Sequence, residues 1–222
     1  MHLDSAELAG LERRYRSALI NAVTGFKPAN LVGTADTAGT SNCAILSSLV
    51  HLGSRPPLLG LIFRPATVPR HTLDNILATG VYTINHLNEA CIERGHQTAA
   101  RYPRGLSEFA AAGLGEHWEP DFPAPFVAEA SIRLAMRLRE HQPLAINGTH
   151  LVIGEIERLT VPDACVDRDG GLDLAAAGSV ALSGLDRYYR GTALKRMAYA
   201  TPERAPRVVA DEDADAPRGG VA

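Results

Sequence analysis

The chain has 222 residues, 45% of them hydrophobic and 21% charged, with a formal net charge of -3. That composition is ordinary for a globular protein and long enough for a sizeable core in one domain with additions, while the weak negative charge lacks the broad cationic field that a nucleic-acid backbone requires. The start, MHLDSAELAGLERRYR, has neither the apolar stretch nor the cleavage site of a secretory signal, and no run approaches a membrane span, so a cytoplasmic protein with no membrane association is expected.

In chain order, Asp4 and Glu7 stand three apart before Leu8, Leu11, Tyr15 and Leu19, which predicts one capped amphipathic helix over 5–20. NLVGTA and SNCAILSSLVHL read as two strands separated by the turn-forming DTAG, and PLLGLIF beyond Pro56 as a third, together an antiparallel meander. Thr72 is the expected N-cap of a short helix in which Leu73, Ile76 and Leu77 share a face and Gly80 is the stop. VYTINHL follows as a strand. NEACIERGHQTAARY and SEFAAAG read as helices, polar on one side, that form an excursion away from the sheet and cover something.

From Ser131 the chain alternates: Ile132, Leu134, Met136 and Leu138 against Arg133, Arg137 and Arg139, a strand with one wet face. Asn147-Gly148 is a hairpin signal leading into THLVIGEIERLTV. ALSGLDRYYRG reads as a late loop, and residues 202–222, rich in Pro, Asp and Ala, as a disordered tail after a domain over 1–201. Many short strands without βαβ alternation predict a mainly β protein, a β-barrel with helical insertions; no GxGxxG or P-loop pattern occurs.

The sharpest chemical feature is FRPATVPRHT, where a buried-looking strand empties into cations directly before a helix. Arg64, Arg70 and His71, with the Thr72 hydroxyl and the open amides of the first turn, form a candidate phosphate site, and Pro65 and Pro69 stiffen the loop. The TSNCAILSSLV stretch offers Ser41, Asn42, Ser47 and Ser48 around the apolar CAIL, a combination suited to a flat heterocycle with polar edges. The eight histidines show no HxxxH or HExxH spacing, so no metal is expected. Cys43, Cys91 and Cys165 form no CxxC pair and read as reduced, buried thiols.

The run from NLVGTADTAGTSNCAILSSLVHL through RPPLLGLIFRPATVPRHTLDNI to INHL resembles the flavin reductase-like family of FMN-binding split-barrel proteins, which includes flavin reductases and flavoredoxins. The pattern extends through HQTAARYPRGLSEFAAAGL. The resemblance implies a six-stranded split β-barrel, a homodimer, and FMN beside the barrel near the subunit interface. Carried onto this chain, it implies that Asn42, Ile45, Ser47 and Ser48 lie along the flavin, that Arg64, Arg70, His71 and Thr72 hold its phosphate, and that His96, with Gln97 and Thr98, lies over the ring where a nicotinamide enters. The implied activity is electron transfer from NAD(P)H through FMN to free flavin, oxygen or an organic acceptor, with no obligate side-chain acid or base. The alternative is an FMN-binding electron carrier without its own NAD(P)H turnover.

Overall fold

The computed structural model describes residues 1–209; the expected tail lies outside the described residues from residue 210 onward. Residues 202–209 return along the chain before them, through the bridges Met197–Val208 and Thr201–Arg204.

The N-terminal segment is two helices rather than one. Helix α1 (Ser5–Gly10) carries the Asp4/Glu7 capping box. Helix α2 (Arg13–Ala22) has its own cap, because the Glu12 carboxylate accepts from the amides of Arg14 and Tyr15 and Gly10 is a poor place to continue a helix. Strand β1 (Lys27–Pro28) then leads into β2 (Asn30–Ala35), and β3 (Ser41–Leu46) pairs back on β2.

The stretch read as one strand in SNCAILSSLVHL is two. It breaks at Ser47–Ser48, beyond which β4 (Leu49–Ser54) pairs with β5 (Pro57–Phe63) and not with β3. Ser48 secures the break: its hydroxyl donates to the Ile62 carbonyl (2.7 Å) and accepts from the Ile62 amide (3.2 Å), doing the work of a ladder pair. Helix α3 (His71–Thr79) follows, closed by Gly80 in the left-handed region at φ 74°. It begins two residues earlier than expected. The N-cap position falls on Arg70, whose side chain makes no capping bond, while Thr72 is buried inside the first turn. Leu73 and Ile76 are buried, but Leu77 faces out.

Strand β6 (Val81–His86) enters the sheet beside β2, and the excursion after it holds helices α4 (Ile92–Gln97) and α5 (Glu108–Ala112). A hairpin that the sequence reading did not anticipate follows, β7 (Glu116–Glu119) and β8 (Phe122–Val127). It lies against the outer face of β2 and β6 so closely that a Cβ on Gly33 would stand 2.1 Å from the Pro125 carbonyl oxygen. Strands β9 (Arg133–Leu144) and β10 (Thr149–Thr160) form the expected hairpin, with Gly148 at φ 72° in its turn and ion pairs Arg137–Glu157 and Arg139–Glu155 on the wet face. The expected late loop is instead a hairpin, β11 (Val180–Ser183) and β12 (Arg187–Arg190), which joins β1 in a three-stranded sheet.

The main sheet has seven strands in the order β3-β2-β6-β9-β10-β5-β4, one more than the six implied by resemblance. Its two end strands are consecutive in the chain, so the sheet curls almost into a barrel and stays open between β3 and β4. Val32, Leu61, Phe63, Tyr82, Ile84, Met136 and Val152 fill the interior, and Leu73 and Ile76 bring α3 onto the same core. No helix among the described residues is long and apolar enough to cross a membrane.

Candidate functional site

The open side of the barrel collects most of the residues singled out in the sequence. Strand β3 is an edge strand, and its outward amides at Cys43 and Ile45 need partners. The excursion supplies both: the Glu108 carboxylate accepts from the Cys43 amide (3.1 Å) and the Thr98 hydroxyl from the Ile45 amide (2.9 Å). A side-chain edge thus replaces a missing strand, and it fixes α4 and α5 against β3.

Asn42 and Thr72 meet directly. The Asn42 amide lies 2.9 Å from Thr72 Oγ1 and 3.2 Å from Thr34 Oγ1, and Asn75 donates to the same Thr34 oxygen at 3.1 Å. All four side chains are buried, so this network joins β2, β3 and the first turns of α3 away from water. Beside it, a cavity of about 20 Å³ touches Asn42, His71, Asn75 and Arg104, space for one water molecule.

Above the network stands a group of cations. Arg70 is partly buried and donates from Nε (3.3 Å) and Nη2 (3.2 Å) to the Pro65 carbonyl, which folds the loop onto the start of α3. Burial first, then the charges of Arg64 and Arg101, push its pKa down. Lys27 is likewise lowered by burial and by Arg64, and its ammonium is held by the carbonyls of Asn21 (3.0 Å) and Gly184 (3.1 Å). Among the described residues none of Lys27, Arg64, Arg70 and Arg101 forms a salt bridge, whereas Asp74, the acid in the first turn of α3, is taken by Arg104 at 2.8 Å. The uncapped amides of α3 add positive potential at the same place. This arrangement can receive an anion.

The remaining expected residues fall as follows. Ile45 is half-buried and packs on the excursion. Ser47 is partly buried at the break between β3 and β4, next to Ser48, whose hydroxyl both donates to and accepts from Ile62. His96 is exposed and 2.9 Å from the Tyr188 hydroxyl on β12, in an edge-to-face contact, not joined to the Asn42–Thr72 network. Lys27, Arg101, Glu108 and Thr34 were not singled out by sequence; Asn75 had a signal in the spacing of Thr72 and Asn75, one helical turn apart.

A family model described as "Flavin reductase like domain" matches residues 26–174. Among solved structures, a candidate flavin reductase with split barrel domain from Shewanella frigidimarina NCIMB 400 is 51% identical, with a TM-score of 0.87 over 90% of this chain and 100% of its own. Nitrilotriacetate monooxygenase component B from Bacillus cereus is 20% identical, with a TM-score of 0.78 over 88% of this chain and 98% of its own. Flavoredoxin of Desulfovibrio vulgaris (Miyazaki F) is 24% identical, with a TM-score of 0.67 over 79% of this chain and 92% of its own. The last two are likenesses of fold.

Proposed function

The chain belongs to the flavin reductase-like family, and from that premise we propose that it is an oxidoreductase that binds FMN and carries electrons from NAD(P)H to free flavin, oxygen or an organic acceptor. One observation carries the reading at the level of residues: the charges of Arg64 and Arg101 both act on the partly buried Arg70 at an uncapped helix start, and none of the three forms a salt bridge among the described residues. A phosphate dianion relieves that repulsion and accepts charge-assisted hydrogen bonds.

The residues present fit such a group. Arg64, Arg70, His71 and Thr72 would hold the phosphate, with Arg101 as a further cation, and Asn42, Ile45 and Ser47 would border the rest of the flavin. Ser48 contributes through shape, because its proton is committed to the Ile62 carbonyl. His96 would stand at the rim through its bond to Tyr188. Bound FMN supplies hydride acceptance and electron release, and the protein supplies binding, orientation and charge.

The reading includes a homodimer in the cytoplasm. Val50, Leu52 and Ile62 are 48%, 46% and 36% exposed on one sheet face around Gly60, and such a patch favours a second copy. The three cysteines are free and buried, in keeping with a reducing compartment.

Absorbance of the purified protein, equilibrium titration with FMN, and steady-state oxidation of NADH and NADPH test the proposal. Flavin uptake with pyridine-nucleotide turnover is expected. Uptake without turnover would make the protein an electron carrier, and a folded protein that takes up no FMN would end the reading.

A further inference from the structure

The Asn42 side chain lies between two kinds of partner. On one side are the hydroxyls of Thr72 and Thr34 at 2.9 and 3.2 Å; on the other, Glu108 Oε2 at 3.2 Å. Glu108 is 6% exposed and already accepts from the Cys43 amide. A proton on Oε2, the oxygen that faces Asn42, therefore sets which way the Asn42 amide turns.

Ionised, Glu108 can only accept, so it takes an N–H from Asn42 Nδ2; Asn42 Oδ1 then accepts the protons of both threonine hydroxyls. Protonated, Glu108 donates to Oδ1, the amide turns over, and the two hydrogens on Nδ2 go to the two hydroxyl oxygens. In the first state the Thr72 proton is committed to Asn42. In the second it is free for another acceptor. The opposite combination, a carboxylate facing Oδ1, sets two acceptors against each other in a buried site.

We propose that Glu108 is a positioning residue for the anion site at the start of α3, acting through Asn42 to set whether Thr72 presents a proton or only lone pairs to the anion. The proposal rests on the reading of that site as the flavin phosphate site. An anion needs the proton, so binding favours protonated Glu108, takes up a proton, and strengthens as pH falls. Burial pushes the Glu108 carboxyl up, partly offset by hydrogen bonds from its own and the Cys43 backbone amides and by the charge of His71, so the change begins at milder acidity than for an exposed glutamate. The ionisable groups around it are the Cys43 thiol on β3, kept neutral by burial and by Glu108 itself, His71 and the Arg104-paired Asp74 on α3, and Glu116 on β7, which is bonded to Ser41.

The test compares FMN affinity of the wild type and Glu108→Gln from about pH 5 to about pH 8. Both contacts of Glu108 fall on Oε2, so a glutamine with its carbonyl oxygen there accepts from the Cys43 amide and from Asn42 Nδ2 at every pH. It should hold the alkaline-side affinity throughout and bind about tenfold more weakly than the wild type at the acid end. Titration of the ligand phosphate is common to both proteins and cancels in their ratio. In a Thr72→Val background the ratio should fall to unity. A ratio independent of pH, or one that survives Thr72→Val, overturns the proposal.

A ligand-free measurement separates this from the flavin reading. The Asn42 side-chain NH2 resonances should move with pH in the wild type and stay fixed in Glu108→Gln; resonances that do not move in the wild type overturn the switch. Should FMN bind at no pH while those resonances titrate, the flavin reading falls and the switch stands.

Discussion

Asn42 and Thr72 are 30 residues apart in the chain and joined by a buried 2.9 Å hydrogen bond. That bond, with the Asn75–Thr34 bond at 3.1 Å, makes the edge of the open barrel and the first turns of α3 one rigid unit. Asn42→Ala would leave Thr72 and Glu108 short of partners in a buried place. We expect a loss of about 1–3 kcal/mol in a denaturant midpoint series, together with weaker FMN binding. An unchanged midpoint would show that the unit does not depend on this amide.

Arg70→Ala tests the phosphate site by charge. A guanidinium contact to a phosphate contributes about 1.5–3 kcal/mol, so FMN should weaken by on the order of ten- to a hundredfold. Riboflavin, which lacks the phosphate, should be nearly unaffected. Equal losses for both ligands would mean that Arg70 acts through its bonds to Pro65, holding the loop rather than the phosphate.

Leu52→Arg tests the dimer. Leu52 is 46% exposed beside Val50 on the β4 edge, so a charge there should leave the fold intact and convert dimer to monomer in light scattering at micromolar concentration. A wild-type protein that is monomeric with FMN bound would remove the dimer from the proposal.

Local patterns made much of the barrel legible. The alternation from Ile132 to Leu138, the Asn147-Gly148 turn and the Gly80 stop all stand where the sequence places them, because each is decided within a few residues. The break at Ser47–Ser48 was hidden, since both halves alternate alike and only the contact of Ser48 with Ile62, 14 residues away, ends the strand. Pro120, Pro123 and Pro125 disguised the β7–β8 hairpin, which is stabilised by packing on Gly33 and not by propensity. The site shows the same division. Arg64, Arg70, His71 and Thr72 are neighbours in sequence and could be read together, whereas Lys27, Arg101 and Glu108 reach the site only through the fold.

Tyr82 and Gly154 test the packing of the barrel centre. The Tyr82 hydroxyl is buried with no hydrogen-bond partner among the described residues, and a Cβ on Gly154 would stand 2.1 Å from it. Tyr82→Phe should be neutral or stabilising by up to about 1–3 kcal/mol, since it removes a buried polar group that has no partner. Gly154→Ala should cost about 1–3 kcal/mol or more, and less when combined with Tyr82→Phe. Strict additivity in thermal or denaturant unfolding would show that the two positions do not meet.

His86 sets an acid limit on stability. Its Nδ1 is 2.9 Å from the Ser179 hydroxyl at the end of β6, and burial lowers its pKa below the ordinary value of 6.5. A depressed folded-state pKa means that the unfolded chain binds the proton more readily. The contribution of His86 is therefore complete above the unfolded value and is lost as pH falls from there through the folded value. His141 is lowered in the same direction, by burial and then by the charge of His150, so two groups share this window. Unfolding free energies measured from about pH 7 down to about pH 5 should fall for the wild type and fall less steeply for His86→Gln. His150→Gln, which removes the charge that acts on His141, should produce a separate and smaller flattening. A wild-type slope that His86→Gln leaves unchanged would assign the acid limit to groups other than His86.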